Sequence, residues 1–279
     1  MNFTGAAIVA GVAGWPIKHS RSPRIHNYWL KKYGIDGVYV PLAIPPDRAK
    51  DAIRMLPVLG IRGLNVTVPN KEEAYKAMDE VDRWAQRMKA VNTVMVRDGI
   101  LYGANTDAFG FLESLREARL DWRADTGPAV ILGAGGAARA IVAGLQDAGA
   151  PEIRIANRTP ERSAAIRDEF DNPVRPVLWE HRADALEDAV LVVNTTSLGM
   201  EGQPALDLDL AKLPADAVVY DIVYVPLETP LLAAARARGN PAIDGLGMLL
   251  HQARPGFREW FGTDPVVDQA LRDHVLAAL

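Results

Sequence analysis

The 279-residue sequence contains no cysteine, and this absence excludes both disulfide bonds and thiolate metal sites. Its five histidines include no pair with the H-E-x-x-H spacing, so the sequence predicts no histidine-built metal centre. No uninterrupted apolar run reaches the length of a membrane-spanning helix. Charge of one sign is also not in large excess: the formal net charge is -4 and the basic residues are scattered, which argues against a nucleic-acid partner.

What the sequence does contain is typical of a folded protein with two cores. Its hydrophobic content is 49%, and at 279 residues a single core usually gives way to two. Residues 5–15 are small and apolar like the core of a signal peptide, but no lysine or arginine precedes them. We therefore interpret this stretch as a buried first strand and expect a cytoplasmic protein.

The first hundred residues alternate between strand-like and helix-like segments. Ser22 is predicted as the N-cap of the first helix, with Pro23 as its first helical residue. The dipeptide Asp98-Gly99 is a strong signal for a two-residue hairpin turn. Strands are predicted at 6–12, 38–42, 63–68, 91–97 and 100–102, and helices at 23–33, 47–56 and 71–88.

From residue 129 onward the strand–helix–strand alternation is regular, as in a parallel α/β sheet. A helix at 109–120 connects the two halves of the chain. No strand-like run follows Asp244, and only helical segments remain. Strands are predicted at 129–132, 153–156, 191–194, 217–222 and 241–244, and the final helices at 246–260 and 265–279.

A glycine-rich turn with the G-x-G-x-x-[GA] pattern follows the apolar run at 129–132. Gly133 permits a tight turn, Gly135 allows a pyrophosphate to approach the backbone, and Ala138 keeps the next helix close to the strand. The helix predicted at 137–146 would direct N–H groups and a positive dipole end toward phosphate. This order favours a dinucleotide site, and a turn that binds nothing is the alternative.

The end of the second strand in this half indicates which dinucleotide is preferred. An NAD site places a carboxylate there, where it accepts hydrogen bonds from the ribose 2′-hydroxyl. This chain instead has Asn157, Arg158 and Arg162. A guanidinium binds a 2′-phosphate through charge-assisted hydrogen bonds, so the pattern favours NADP. A solvated turn that merely carries arginine is the alternative.

Lys71 is the candidate for acid–base chemistry in the first half. It follows the strand predicted at 63–68, at the end of the sheet where open α/β sheets bind ligands. A lysine without context is usually a surface charge. Asn92 and Asp107 also lie next to the ends of predicted strands, and a lysine–carboxylate pair with an amide nearby can transfer a proton to or from a substrate hydroxyl.

Ser20 and Ser22 flank Arg21 just before the first helix. A structural interpretation makes Ser22 an N-cap and Ser20 a loop hydroxyl. A functional interpretation has both hydroxyls hold a carboxylate at the positive end of the helix. The residues themselves do not separate the two.

Together these motifs resemble those of shikimate dehydrogenases, NADP-dependent enzymes that reduce 3-dehydroshikimate to shikimate. The resemblance covers nearly the whole chain in order, and its motifs are specific jointly rather than singly. The matching segments are 14–23, 65–71, 90–93, 105–107, 133–138, 157–159, 194–200, 221–226 and 245–252.

The resemblance implies an α/β fold with an N-terminal α/β substrate domain and a C-terminal Rossmann-type NADP-binding domain. The substrate domain would comprise residues 1–107 plus 246–279, and the NADP-binding domain residues 108–245. It also implies that the final helices pack back on the first domain, which would explain why no strand follows residue 244.

The resemblance further implies residue roles. Ser20 and Ser22 would hold the substrate carboxylate, with Tyr224 near the same pocket, and Lys71 with Asp107 would be the catalytic pair. Asn65, Thr67, Asn92, Asp107 and Gln252 would bind the ring hydroxyls. The cofactor would contact Gly133, Gly135, Gly136 and Ala137 at its pyrophosphate, Asn157, Arg158, Thr159 and Arg162 at its 2′-phosphate, and Thr195, Ser197 and Met248 along its nicotinamide side.

The departures from the family pattern are small. Lys89 and Ala108 stand where the family commonly has glycine, beside the expected site. The implied partner is a small molecule, shikimate or 3-dehydroshikimate, with no nucleic acid and no membrane, and a homodimer is left open. The rival hypotheses are an enzyme that also accepts quinate or uses NAD, and a non-catalytic relative that only senses a metabolite. Which of Lys71 and Asp107 carries the proton is also left open.

Overall fold

The computed structural model describes residues 3–277 and divides the chain into two compact units. The first unit consists of Met1–Asp107 and Leu250–Leu279, and the second consists of Ala108–Leu249. The predicted last helix extends to residue 279, and its final two residues lie outside the described ones. Among residues 3–277, no helix combines the length and the apolar character needed to cross a bilayer.

Within residues 3–277, twelve strands form two six-stranded sheets. The first six belong to the first sheet and the last six to the second. In chain order they are β1 Ile8–Gly14, β2 Gly37–Ala43, β3 Ile61–Val66, β4 Glu80–Val81, β5 Thr93–Arg97, β6 Ile100–Ala104, β7 Ala129–Leu132, β8 Ile153–Asn157, β9 Val174–Leu178, β10 Leu191–Asn194, β11 Val218–Asp221 and β12 Ala242–Ile243.

Most α-helices of the described residues lie between these strands in the chain, whereas α9, α10 and α11 follow the last strand. In chain order they are α1 Ser22–Tyr33, α2 Ala49–Arg54, α3 Lys71–Ala77, α4 Arg83–Met88, α5 Asp107–Ala118, α6 Gly136–Asp147, α7 Pro160–Phe170, α8 Pro230–Ala237, α9 Leu246–His251, α10 Arg254–Phe261 and α11 Gln269–Leu276.

The first sheet is mixed, with the strand order β2-β1-β3-β5-β6-β4. β1 pairs in parallel with β2 and β3, whereas β5 pairs antiparallel with both β3 and β6. The predicted hairpin forms between β5 and β6: Asp98 and Gly99 have φ values of 49° and 81°, as a type I′ turn requires. The carboxyl ends of β1 and β3 therefore lie at one edge of this sheet.

Helix α10 packs on the first sheet and brings the end of the chain back to the first unit, as the resemblance implied. Trp260 Nε1 donates to Val94 O on β5 at 3.0 Å. A Cβ added at Gly63 would lie 2.2 Å from that nitrogen, so a glycine is required for the indole to approach the sheet. His26, Tyr39 and Phe257 complete this buried aromatic cluster.

The second sheet is entirely parallel, with the strand order β12-β11-β10-β7-β8-β9. This is the order of a doubly wound dinucleotide-binding sheet, so the predicted α/β fold class is confirmed. The order reverses between β7 and β10, and such a switch point is where open α/β sheets bind ligands. Fully apolar strands such as β7 are buried on both faces.

The prediction of a single polar helix at 71–88 is wrong. The chain forms α3 and α4 instead, because β4 lies between them and pairs in parallel with β6. Asp79 fixes the start of β4: its N–H donates to Leu101 O at 3.0 Å, and its Oδ2 accepts from Leu101 N at 2.9 Å. Asp82 then caps α4 by accepting from Ala85 N at 2.6 Å.

Three further details differ from the sequence prediction. The helix expected at 246–260 is divided into α9 and α10, because Pro255 in the first turn of α10 cannot continue a preceding helix. Ser22 is the first residue of α1 rather than its N-cap, which is Arg21. The strand β9 was not predicted; it is an edge strand with Pro176 at its centre, a position that edge strands tolerate.

Candidate active site

Lys71 and Asp107 are brought together in the first unit. Lys71 begins α3 and Asp107 begins α5, and Lys71 Nζ donates to Asp107 Oδ2 at 2.5 Å. The Asp107 side chain is 9% exposed and the Lys71 side chain 27%, so the pair is shielded but reachable. The positive end of the α5 dipole favours the carboxylate at this position.

Asn92 completes the environment of the carboxylate. Its Nδ2 donates to Asp107 Oδ1 at 2.7 Å, so each carboxylate oxygen has a different donor. The amide oxygen of Asn92 accepts from Thr106 N at 2.9 Å and from the Thr93 hydroxyl at 2.9 Å. Because both ends of the amide are occupied, the orientation of Asn92 is fixed and the carboxylate is held in one position.

Asn65, on β3, belongs to the same hydrogen-bonded group. Its Oδ1 accepts from the Tyr39 hydroxyl at 2.7 Å, and its Nδ2 donates to the Thr93 hydroxyl at 3.2 Å. Burial raises the pKa of the Tyr39 phenol well above its usual range, and hydrogen bonds with Ser22 and Asn65 oppose that rise. The phenol is therefore a neutral donor that orients Asn65.

Four other predicted substrate residues, Ser20, Ser22, Thr67 and Gln252, belong to the first unit, and main-chain groups take part in the hydrogen bonds that position them. Ser20 Oγ accepts from Ser22 N at 3.3 Å, which brings the two serines together. Thr67 N donates to Ala13 O at 2.9 Å and keeps Thr67 beside the end of β1. Gln252 contributes its carbonyl, which accepts from the Thr106 hydroxyl at 2.9 Å.

The glycine turn lies at the switch point of the second sheet. Gly133 has φ 106°, and a Cβ there would lie 2.7 Å from Thr195 Oγ1, so only glycine fits. Gly135 is the N-cap of α6, and among the described residues no side chain caps this helix. A Cβ added at Gly135 or Gly136 would meet no described atom within 4 Å. Ala137 follows in the first turn.

The end of β8 carries exposed cations. Asn157 Nδ2 donates to Thr159 O at 2.8 Å and fixes the turn that precedes α7. Arg158 and Arg162 are exposed, and neither pairs with a carboxylate among residues 3–277. By contrast, Arg139 near the start of α6 is paired with Glu169 at 3.0 Å. Two unpaired guanidiniums beside a glycine turn can bind an additional phosphate.

The remaining predicted residues of the second unit follow β10 and β11 or lie on α9. Thr195 Oγ1 donates to Leu132 O at 2.7 Å, whereas the Ser197 side chain is exposed. Met248 is 8% exposed on α9. Tyr224, predicted beside the two serines, belongs to the second unit, on the segment after β11.

The sequence reasoning missed three participants, namely Tyr39, Thr93 and Thr106. Thr93 links Asn65 to Asn92, and Tyr39 donates to Asn65. Nothing in the sequence marks Tyr39, since a tyrosine is an ordinary strand residue. Thr93 and Thr106 lie inside the matching segments 90–93 and 105–107, next to the predicted site residues Asn92 and Asp107, and this position was the available signal.

Fold and site residues together define a class, that of Rossmann-type oxidoreductases with a separate substrate-binding unit. The shikimate dehydrogenase substrate binding domain family matches residues 12–94, and the shikimate / quinate 5-dehydrogenase family matches residues 115–200. The chain is 57% identical to a shikimate dehydrogenase (NADP(+)) of Paramagnetospirillum magneticum, covering 99% of this chain and 100% of the relative. The chain belongs to the shikimate dehydrogenase family.

Solved structures are similar over nearly the whole length. One is shikimate 5-dehydrogenase of Thermus thermophilus in complex with NADP(H) and shikimate, with a TM-score of 0.86, 38% identity and coverage of 98% of this chain and 100% of that one. Another is quinate dehydrogenase of Corynebacterium glutamicum in complex with NAD, with a TM-score of 0.90, 33% identity and coverage of 97% and 99%. The predicted family is thus confirmed.

Proposed function

We propose that this protein catalyses the reversible NADPH-dependent reduction of 3-dehydroshikimate to shikimate, a step of chorismate and aromatic amino acid biosynthesis. The observation that carries the proposal is the hydrogen-bonded group of Lys71, Asp107 and Asn92. The reaction consumes one proton and one hydride, and adds both across the C3 carbonyl. The family membership supports the choice of substrate and cofactor.

Each half of the proposed site binds a different partner. In the first unit, the hydroxyls of Ser20 and Ser22 bind the substrate carboxylate. Asn65, Thr67, Asn92 and Gln252 bind the ring hydroxyls. Hydrogen bonds from fixed donors orient the carbonyl, which favours reaction over unproductive binding.

The Lys71–Asp107 pair handles the proton. Lys71 Nζ carries three N–H groups. One donates to Asp107, and the other two are available to the substrate oxygen. During reduction the pair passes a proton to the oxygen on C3 as negative charge develops there, and in the reverse direction it accepts the proton. Asn92 keeps the carboxylate aligned with the ammonium throughout.

The second unit fits NADP. Gly133, Gly135, Gly136 and Ala137 form a turn with room for a pyrophosphate, at a helix start that no described side chain caps. Asn157, Arg158, Thr159 and Arg162 provide the donors for the 2′-phosphate, and Thr195, Ser197 and Met248 border the nicotinamide. When bound, NADPH supplies the hydride.

An absorbance assay of NADP reduction tests the proposal directly. The purified protein is mixed with shikimate or quinate and with NADP or NAD, and the formation of reduced cofactor is followed. We expect the highest kcat/KM for shikimate with NADP. A protein that binds shikimate without reducing NADP would be a sensor and would contradict the proposal.

Activity toward quinate is the second candidate. It is favoured by the similarity to the quinate dehydrogenase of Corynebacterium glutamicum. Arg158 and Arg162 argue against NAD as the cofactor. They are exposed, they pair with no carboxylate among the described residues, and NAD has no 2′-phosphate for them to bind. The ratio of kcat/KM for the two acids with each cofactor decides between the candidates.

The remaining parts of the proposal concern partners and location. The partner is a small molecule rather than nucleic acid, as the net charge of -4 favours. The proposed compartment is the cytoplasm, and fractionation of cells that produce the protein tests it. A homodimer is the assembly to examine, by light scattering at assay concentration.

A further inference from the structure

A buried carboxylate that the proposed reaction does not use ends strand β11. Asp221 is 0% exposed, and Asn194, which ends the neighbouring strand β10, is also 0% exposed. The two side chains are joined, because Asn194 Nδ2 donates to Asp221 Oδ1 at 3.0 Å. A carboxylate at this depth is tolerated only when several donors satisfy it.

Asp221 contacts two loops besides the end of β10. Its Oδ1 also accepts from Val223 N at 3.0 Å, and its Oδ2 accepts from the hydroxyl of Thr229, the N-cap of α8, at 2.8 Å. Burial raises the pKa of the Asp221 carboxyl, and these hydrogen bonds oppose the rise. The contacts link the ends of β10 and β11 with the start of α8.

The amide of Asn194 determines the conformation of the turn after β10. Its Oδ1 accepts from Thr196 N at 3.0 Å and from the Thr196 hydroxyl at 2.7 Å, while Nδ2 also donates to Leu198 O at 3.0 Å. The two ends of an amide have nearly the same shape, so packing alone does not select between them. A carboxylate only accepts hydrogen bonds, so Asp221, together with Leu198 O, selects the Nδ2 end.

We propose that Asp221 is a positioning residue: by fixing the orientation of the Asn194 amide, it holds the turn at 195–198 so that Thr195 and Ser197 border the nicotinamide end of NADP. The placement of Thr195 and Ser197 rests on the proposed function. Thr195 is already tied to the glycine turn, since its hydroxyl donates to Leu132 O immediately before Gly133. Asp221 acts through Asn194 and contacts no reacting atom.

The test replaces Asp221 with alanine and makes three measurements. We expect kcat with shikimate and NADP to fall about 10- to 100-fold, because a misplaced turn misaligns the reacting groups. The affinity for adenosine 2′,5′-bisphosphate, which lacks nicotinamide, should stay within about twofold, because its contacts at the glycine turn and Arg158 are unchanged. Hydrogen exchange at the Thr196 and Leu198 amides of the ligand-free protein should accelerate.

Two further variants separate positioning from stability. Asp221→Asn keeps an acceptor oxygen for Val223 N and Asn194 Nδ2, so it should restore kcat to within about threefold. Asn240→Ala is the matched control: this buried amide donates to Pro214, Ala215 and Ala217 carbonyls before β11. Its loss should lower thermal stability and leave kcat unchanged.

The proposal is overturned if Asp221→Ala keeps its kcat, or if kcat and affinity for adenosine 2′,5′-bisphosphate fall together. It is also overturned if Asp221→Asn is as impaired as Asp221→Ala. Should Asp221→Ala not fold, Asn194→Ala removes the amide directly and is expected to show the same separation. If the wild-type protein does not oxidise shikimate, the proposed function fails, whereas the exchange rates at Thr196 and Leu198 still decide whether Asp221 holds the turn.

Discussion

At the scale of single residues, we propose that the preference for NADP over NAD depends on Arg158. This side chain is exposed and has no carboxylate partner in the described part of the chain, so its charge is available to a 2′-phosphate. Arg158→Ala should weaken NADPH binding by roughly 10- to 100-fold, as expected for one charge-assisted hydrogen bond, and should leave NADH binding nearly unchanged. Fluorescence titration of both cofactors measures the two affinities.

The control for this variant is Arg167→Ala on α7, the helix that follows the turn containing Arg158. Arg167 already pairs with Asp168 at 2.6 Å, so its removal should change neither affinity. An equal loss of NADPH and NADH binding in Arg158→Ala would indicate a structural defect and contradict the assignment.

The backbone of Lys89 has a left-handed conformation, which a residue with a side chain rarely adopts. Lys89 is the C-cap of α4, with φ 48° and ψ 36°, at a position where glycine is expected. Lys89→Gly should raise the free energy of unfolding by about 0.5–1 kcal/mol, because relief of strain outweighs the added chain entropy. Urea denaturation measures the change, and Lys50→Gly inside α2 should lower stability by about 1 kcal/mol. A destabilised Lys89→Gly would show that the strain is absent.

At the scale of elements, the packing of α1 and α10 depends on the uncharged state of His26. The imidazole stacks on Tyr39 with ring centroids 4.0 Å apart, and Trp29, Phe257 and Trp260 surround it. Burial lowers the pKa of the His26 imidazole to about 3, and neither ring nitrogen has a hydrogen-bond partner among the described residues. In the unfolded chain the same group titrates near its ordinary value of 6.5.

The lowered pKa of His26 determines how the free energy of unfolding changes with pH. The folded state binds the proton less tightly than the unfolded state, so the stability contributed by His26 is complete above pH 6.5 and is lost as the pH falls toward 3. Between pH 6.5 and pH 5 the loss should reach about 2 kcal/mol. His26→Phe should remove this part of the pH dependence, and urea denaturation at pH 7, 6 and 5 tests it. Parallel stability curves for the two proteins would refute the role of His26.

The elements that sequence reasoning predicted well are those with a local cause. The hairpin at Asp98-Gly99 and the buried strand β7 have short-range signals, namely a turn dipeptide and a β-branched apolar run. The break between α3 and α4 has a distant cause, because β4 forms only when β6 is there to pair with it. A polar stretch at 71–88 carries no sign of that pairing.

At the scale of the whole molecule, the order of the strands was not predictable from periodicity alone. The alternation of elements predicts an α/β protein, but only the pairing places β10 beside β7 and so creates a switch point at Gly133. Strand pairing also determines which residues meet in the first unit. Lys71 and Asp107 are 36 positions apart, and they meet because α3 and α5 begin at the same edge of one sheet.

The proposed side-chain roles can be inferred from the sequence where a motif carries its own chemistry, and not where a neighbouring residue orients the side chain. Glycines at a turn and arginines in place of a carboxylate can be interpreted directly. Tyr39 and Thr93 acquire a role only through the contacts of Asn65, and these contacts depend on the folded register of β2, β3 and β5.

The central claim is that the hydrogen-bonded pair of Lys71 and Asp107 transfers the proton and that Lys71 is indispensable to it. The most direct test measures kcat for Lys71→Ala together with shikimate affinity by calorimetry, with Lys76→Ala as a control, since Lys76 lies on the same helix and pairs with Glu73. The account predicts that Lys71→Ala lowers kcat by about 10²- to 10⁴-fold while the protein remains folded and still binds shikimate. A kcat for Lys71→Ala close to that of Lys76→Ala would contradict it.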